Sequence, residues 1–208
     1  MNNIKSHNLA TAKAAGRAAK GAASVSLIRP AVWIGVDPAF RTGGFWICVI
    51  DTVDATADFR QFASVLHFDR WLRSDEAPET AVVSVENSNM QKSTFGMLRN
   101  GRRESAPGES SAHLASRSRN VGTNQAASQL AVDAARDRYG AGYVVEISPA
   151  QKGKKVLDEK QFGWIVQADR VRLMCQVGKA KQDMRDAYML AQMGRQQWTI
   201  TNRQTKTI

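Results

Sequence analysis

Cysteine is nearly missing from this chain. There are two, Cys48 and Cys175, and neither belongs to a Cys-x-x-Cys pair or a Cys/His cluster. A structural zinc site is therefore not expected, and two isolated cysteines read as small buried hydrophobes in a reducing compartment. Long apolar runs are missing too. None approaches the roughly 18–20 residues that a membrane span needs, and the N-terminus carries Lys and Arg without the apolar core of a signal peptide. The expectation is a soluble, cytoplasmic protein with no membrane partner. Acids are scarce: Asp and Glu number 19 against 29 Lys and Arg, giving a formal net charge of +10 and a sequence pI of about 10.0. Such an excess favours polyanionic partners, nucleic acid first, with a generic basic surface as the plainer alternative.

What is present suits one domain. The 208 residues are 43% hydrophobic, enough for a core. Residues 1–29 are rich in Ala, Lys, Ser and Asn and hold no acid, so they read as a basic flexible arm. Residues 32–36 and 45–50 are β-rich runs separated by the turn signals Pro38, Arg41 and Gly43-Gly44, which predicts a hairpin. A third strand is expected over 59–63, a short helix over 65–73, and a strand over 80–86 that is apolar enough to be covered on both faces. Residues 93–98 suggest a short helix. The Ser-, Arg- and Gly-rich stretch 101–119 reads as a long flexible loop. A helix with a small-residue face is expected over 123–139, ended by Gly140 and Gly142, then a strand over 143–147 and a basic turn over 151–155. Residues 158–173 show no clean period. The last helix is expected over 181–193, and 196–208 reads as a polar, basic tail. The folded domain is therefore expected over 30–195, as an α/β fold whose mixed β-sheet carries helices on both faces.

Four acids stand out against this pattern. Asp37 ends the apolar run Val32-Trp33-Ile34-Gly35-Val36, and Glu86 ends Ala81-Val82-Val83-Ser84-Val85. Asp183 and Asp186 are spaced i, i+3 on the last helix and so share a face. Acids are rarely buried unless paired or metal-bound. Each has a structural alternative: a turn-forming Asp before Pro38, a Glu paired with a nearby Arg, a solvated helical face. Together they match the hard oxygen ligands that magnesium prefers. Two such ions about 3.5–4 Å apart clamp the attacking and leaving oxygens of a phosphodiester.

The order strand-Asp, strand-Glu, helix, strand, helix-Asp-x-x-Asp resembles the RNase H-like fold. Within it, the chain is most similar to RuvC-type Holliday-junction resolvases. Gly35-Val36-Asp37-Pro38 followed by Thr42-Gly43-Gly44-Phe45 resembles that family's first hairpin, and Val85-Glu86-Asn87 its glutamate strand. Ser148-Pro149-Ala150-Gln151-Lys152 resembles the motif after its fifth strand, where basic residues contact DNA, and Asp183-Met184-Arg185-Asp186-Ala187 its C-terminal acidic helix. The similarity spans residues 31–195, and the basic arm suggests a bacteriophage or mobile-element member. The resemblance implies a crossover-junction endodeoxyribonuclease in which Asp37, Glu86, Asp183 and Asp186 hold two Mg²⁺ ions, with Mn²⁺ able to substitute. It also implies a homodimer making paired symmetric nicks in a four-way DNA junction. Where the family often carries a junction-stacking aromatic after the glutamate, this chain has Asn89 and Met90.

Phosphate contacts are expected from basic residues around the acids: Arg41, Lys92, Arg99, Lys152, Lys154, Lys155, Lys179 and Lys181. Other readings remain open. One is a different RNase H-like nuclease acting on flaps, branches or RNA–DNA hybrids. Another is a non-catalytic protein that binds DNA junctions.

Overall fold

The computed structural model describes residues 30–38, 45–90, 111–152, 158–175 and 180–204. Six strands form one mixed sheet: β1 (Val32–Asp37), β2 (Phe45–Asp51), β3 (Thr56–Phe62), β4 (Ala81–Glu86), β5 (Val144–Ile147) and the two-residue β6 (Arg172–Leu173). Their spatial order is β5-β4-β1-β2-β3-β6. β1, β2 and β3 run as an antiparallel meander, while β4 lies parallel to β1, β5 parallel to β4, and β6 parallel to β3. Five helices complete the α/β architecture: α1 (Val65–Leu72), α2 (Ser111–Tyr139), the single turn α3 (Pro149–Lys152), α4 (Glu159–Asp169) and α5 (Gln182–Gln204).

Alternation along the strands divides the core in two. Trp33 of β1, Cys48 and Ile50 of β2, Val82 of β4 and Ile147 of β5 face α4 and α5. They pack with Phe162, Val166, Met184, Ala187, Tyr188, Leu190, Ala191 and Trp198. Ile34, Val36, Ile47, Val83 and Val85 point the other way, onto Phe68, Trp71 and Leu72 of α1 and the small face of α2 at Ala131, Ala134 and Ala135. The near-continuous apolar runs of β1 and β4 follow from this, since both faces of the central strands are covered.

Two elements are longer than the sequence pattern predicts. The loop expected over 101–119 is helical from residue 111 onward, as the first turns of α2. The tail expected over 196–208 is helical as far as residue 204, because α5 continues past 193. The extension is anchored by Gly194, packed against Ser84 of β4, and by Trp198. Trp198 is buried, meets Trp33 edge-on at 5.7 Å between ring centroids, and donates from Nε1 to the carbonyl of Gly142 at 2.8 Å. The surrounding Gln and Thr residues conceal it from a periodicity search.

The stretch 158–173 resolves into α4 and β6. α4 opens on a capping box, in which the Asp158 carboxylate accepts from the backbone of Gln161 while the Gln161 side chain accepts from the backbone of Asp158. β3 begins at Thr56, earlier than expected. Asp51 Oδ1 accepts from the backbone N–H groups of Val53 and Asp54, closing a turn in which Ala55 takes φ 51°, and the chain re-enters the sheet at once. The arm over 1–29 and the short helix expected over 93–98 lie outside the described residues. Among the described residues, no helix is long and apolar enough to cross a membrane.

Candidate functional site

Asp37 and Glu86 are brought together by register. β1 and β4 are parallel neighbours with Val36 opposite Val85, so the next residue on each strand is an acid. Period-two alternation then turns both acids to one face: Trp33, Gly35 and Asp37 from β1, and Val82, Ser84 and Glu86 from β4. The site lies at the carboxyl ends of β1, β4 and β5, where open α/β sheets form their crevices.

α5 brings the other two acids, and glycine permits its approach. A Cβ at Gly35 would collide with the carbonyl oxygen of Ala187 and the backbone nitrogen of Ala191. A Cβ at Gly194 would collide with the Ser84 side chain. The helix backbone therefore lies directly on the sheet, with Ala187 and Ala191 fully buried beneath it. Asp186 precedes Ala187 and is carried to the strand ends, with Asp183 about one turn earlier.

The last component arrives from β5. Ser148-Pro149-Ala150-Gln151 is a capping box around α3. Ser148 Oγ accepts from the Gln151 N–H at 3.2 Å, and Gln151 Oε1 accepts from the Ser148 N–H at 2.8 Å. Pro149 takes the first helical position, where its missing N–H costs nothing. This turn points Lys152 into the acids. Its Nζ lies 2.5 Å from Glu86 Oε2, 2.9 Å from Asp186 Oδ2 and 3.6 Å from Asp37 Oδ2. Three carboxylates from three elements thus converge on one ammonium. The second oxygen of Asp186 accepts from Gln182 Nε2 at 2.7 Å, and Arg185 donates to Gln182 Oε1 at 3.2 Å, which fixes the rotamer of Asp186.

The electrostatics follow from burial and crowding. Asp37 is only 5% exposed. Its carboxyl is pushed up to about 7, first by burial and then by the negative charges of Glu86, Asp186 and Asp183, against the opposing pull of Lys152. Burial works to lower the Lys152 ammonium. The charges of Asp37 and Glu86, with hydrogen bonds to Glu86 and Asp186, outweigh it and hold the group above its ordinary range. One lysine does not balance the cluster, and Asp37 bears the excess.

A second polar network fixes the chain as it leaves Glu86. Asn87 is buried; its N–H donates to the Ile147 carbonyl at 2.9 Å and its side-chain amide donates to Glu146 Oε2 at 2.5 Å. Arg136 of α2 holds the other oxygen of Glu146 at 2.5 Å. Asn87 Oδ1 accepts both the backbone and the side-chain N–H of Asn89, whose amide also donates to the Gln125 carbonyl. The sequence assigns no role to Asn87, Asn89 or Gln182, although Asn87 and Asn89 stand beside the glutamate motif. The signals were there, in a run of polar residues straight after an apolar strand and in a Gln four residues before an acid.

Of the basic residues expected at phosphate, Lys152 is engaged with the acids. Lys181 is exposed just before α5 and makes no ion pair among the described residues. Arg41, Lys92, Arg99, Lys154, Lys155 and Lys179 lie outside the described residues. An open groove of about 440 Å³, lined by Asp169, Gln192, Arg195, Gln196, Thr199 and Ile200, follows the C-terminal half of α5, away from the acids.

The donor set suits a hard divalent cation: carboxylate oxygens only, on rigid elements, around a buried acid short of positive charge. The spacing does not. Among the described residues, no three His, Cys, Asp or Glu side chains are arranged to hold a metal ion. The carboxylates are instead set around the Lys152 ammonium. In three comparisons with known proteins, no family model, no curated protein and no solved structure matches the chain.

Proposed function

We propose that this chain is a magnesium-dependent endodeoxyribonuclease of RNase H-like fold and RuvC type, acting on branched DNA. The observation that carries the reading is the convergence of Asp37, Glu86 and Asp186 at the carboxyl ends of adjacent strands, with Asp183 close enough for its charge to act on Asp37. The mixed sheet supports it as well. Hairpin, third strand, helix, glutamate strand, helix, strand and acidic helix follow one another in the order on which the resemblance rests. The charge of +10 suits a nucleic-acid substrate.

On this reading Asp37, Glu86, Asp183 and Asp186 are the residues that would hold the metal, with Asp37 the most buried of them. Bound magnesium supplies a lowered water pKa and Lewis-acid stabilisation of the departing 3′ oxygen. The chain's own residues fix the geometry. Gln182 orients Asp186, and the Asn87–Glu146–Arg136 network fixes the exit from Glu86. A homodimer would present two such sites for paired symmetric nicks in a four-way junction.

The ion pairs of Lys152 favour a second reading, a junction-binding protein in which the acids and the lysine form a structural cluster. Cleavage assays decide between them, using four-way junction, three-way junction, flap, duplex and RNA–DNA hybrid with Mg²⁺. Paired nicks in the four-way junction, lost in Asp37→Asn with binding retained, are expected. Cutting of flaps or hybrids would move the substrate but keep the site. Tight junction binding with no cutting in Mg²⁺ or Mn²⁺ would support the structural cluster.

A further inference from the structure

We infer that the C-terminal half of α5 is a two-fold interface with a second copy of this chain. Each copy sets Ile200 into the groove along the other's helix and brings Asp169 against the other's Arg195. The inference deepens the nuclease reading, by giving its homodimer a face, but it stands on a groove that none of the four candidate acids lines.

Shape carries the first part. The groove of about 440 Å³ along α5 has a neighbour of about 260 Å³, and Gln196 and Ile200 line both. These two residues are spaced i, i+4, so they form one ridge between two hollows. Ile200 is 59% exposed on that ridge, while Trp198 is buried against the sheet on the opposite side of the helix. Met193, partly buried, adds an apolar wall to the smaller groove. Two such helices related by a two-fold axis place each ridge in the other's groove, the self-complementary pattern that an isologous contact requires.

Charge carries the second part and selects the occupant. Asp169 and Arg195 line the same groove, yet they do not pair with each other. The Asp169 carboxylate is pinned by one oxygen: Oδ2 accepts from the Tyr188 hydroxyl at 2.7 Å and from Gln192 Nε2 at 2.9 Å. That pin keeps it from swinging to the guanidinium. Asp169 Oδ1 and the Arg195 guanidinium have no partner among the described residues. One acid and one base, both unmatched in one groove, are matched by a second copy turned about a two-fold axis, where each meets its opposite. A nucleic-acid strand fits the groove less well, because Asp169 sets a carboxylate against its phosphates.

The test is sedimentation velocity of the full chain over a protein concentration series, without DNA. The natural protein is expected to reach a dimer as concentration rises. Ile200→Glu, Asp169→Arg and Arg195→Asp are each expected to weaken that dimer by about tenfold or more in Kd. An equimolar mixture of Asp169→Arg with Arg195→Asp is expected to regain it, because unlike charges meet again at both contacts of the mixed pair. Circular dichroism melts establish that each variant is folded. Should Asp169→Arg fail to fold, having given up the bonds to Tyr188 and Gln192, loss of the dimer in both Ile200→Glu and Arg195→Asp supports the interface. A natural protein that stays monomeric overturns it, as does a dimer that Ile200→Glu leaves intact, or folded charge variants that do not recover on mixing. A monomer whose DNA affinity falls in Arg195→Ala also overturns it and assigns the groove to nucleic acid. The two readings separate cleanly. A monomer that cleaves a junction removes the interface and keeps the nuclease, whereas a dimer broken by these variants that cleaves no DNA does the opposite.

Discussion

Asp37 is the residue on which the site's electrostatics concentrate. Its carboxyl titrates near 7 in the folded chain, against 3.8 for an unperturbed one, because it is buried among other acids. The folded state therefore holds this proton more tightly than the unfolded state does. That stabilisation is complete below the unfolded value and is lost as pH rises from about 4 through about 7. Asp37→Asn removes the titration. Without metal, the variant's stability relative to the natural protein is expected to rise by on the order of 2 kcal/mol between pH 5 and 8. Denaturant melts at both pH values measure this, and a pH-independent difference would mean the carboxyl is not crowded. Gly35 acts at the same scale through what it lacks. Gly35→Ala drives a methyl into the backbone of α5, and overpacking of this kind costs at least about 1–3 kcal/mol. It also lifts Asp186 from Asp37, so on the nuclease reading a fall in cleavage of branched DNA is expected alongside the fall in melting temperature. Full stability in that variant would show that α5 sits elsewhere.

At the scale of elements, the sequence made some features legible and concealed others for physical reasons. β1, β2, β4 and α1 announce themselves, because burial on one or both faces writes an apolar run or a helical period. Asp37 and Glu86 were visible as acids ending such runs, and Asp183 and Asp186 through helical spacing. The pairing of Lys152 with Glu86, 66 residues away, was not visible, because the register of β4 against β5 brings them together and no local pattern encodes it. Nearly half of α5, beyond residue 193, was concealed because a glycine and Trp198 hold it in place of an apolar period. Truncating that indole tests the point. Trp198→Ala is expected to cost about 3–5 kcal/mol, as for other buried aromatics, and to fray the helix beyond residue 193. Hydrogen exchange would then show lost protection over 196–204 with β1 still protected. Unchanged protection there would mean that the helix stands without its anchor.

For the whole molecule, charge and layering set the behaviour. The excess of 29 basic over 19 acidic residues gives a net attraction for any polyanion. A footprint of about six phosphates would cost roughly a thousandfold in DNA affinity between 50 and 200 mM salt. Binding isotherms across that range measure the slope, and a flat response would exclude a phosphate-dominated interface. The two packed layers on either side of the sheet are not equivalent. Asp37 and Glu86 lie on the α5 face of the sheet, while α1 and α2 build the core of the opposite face and, among the described residues, meet the strand end at Asn87 and Ser88. On the nuclease reading, substitutions within the α1–α2 layer should change stability while leaving cleavage per folded molecule in place.

The Trp33–Trp198 pair has an optical consequence. Two indoles 5.7 Å apart and nearly perpendicular, at 75°, are close enough to couple their excited states. One belongs to the strand that ends at Asp37, the other to the helix that begins near Asp183. A slide or tilt of that helix would alter the coupling, so the near-ultraviolet circular dichroism of this native pair would register a change in how the helix that carries Asp183 and Asp186 sits on the strand that carries Asp37, without any introduced label.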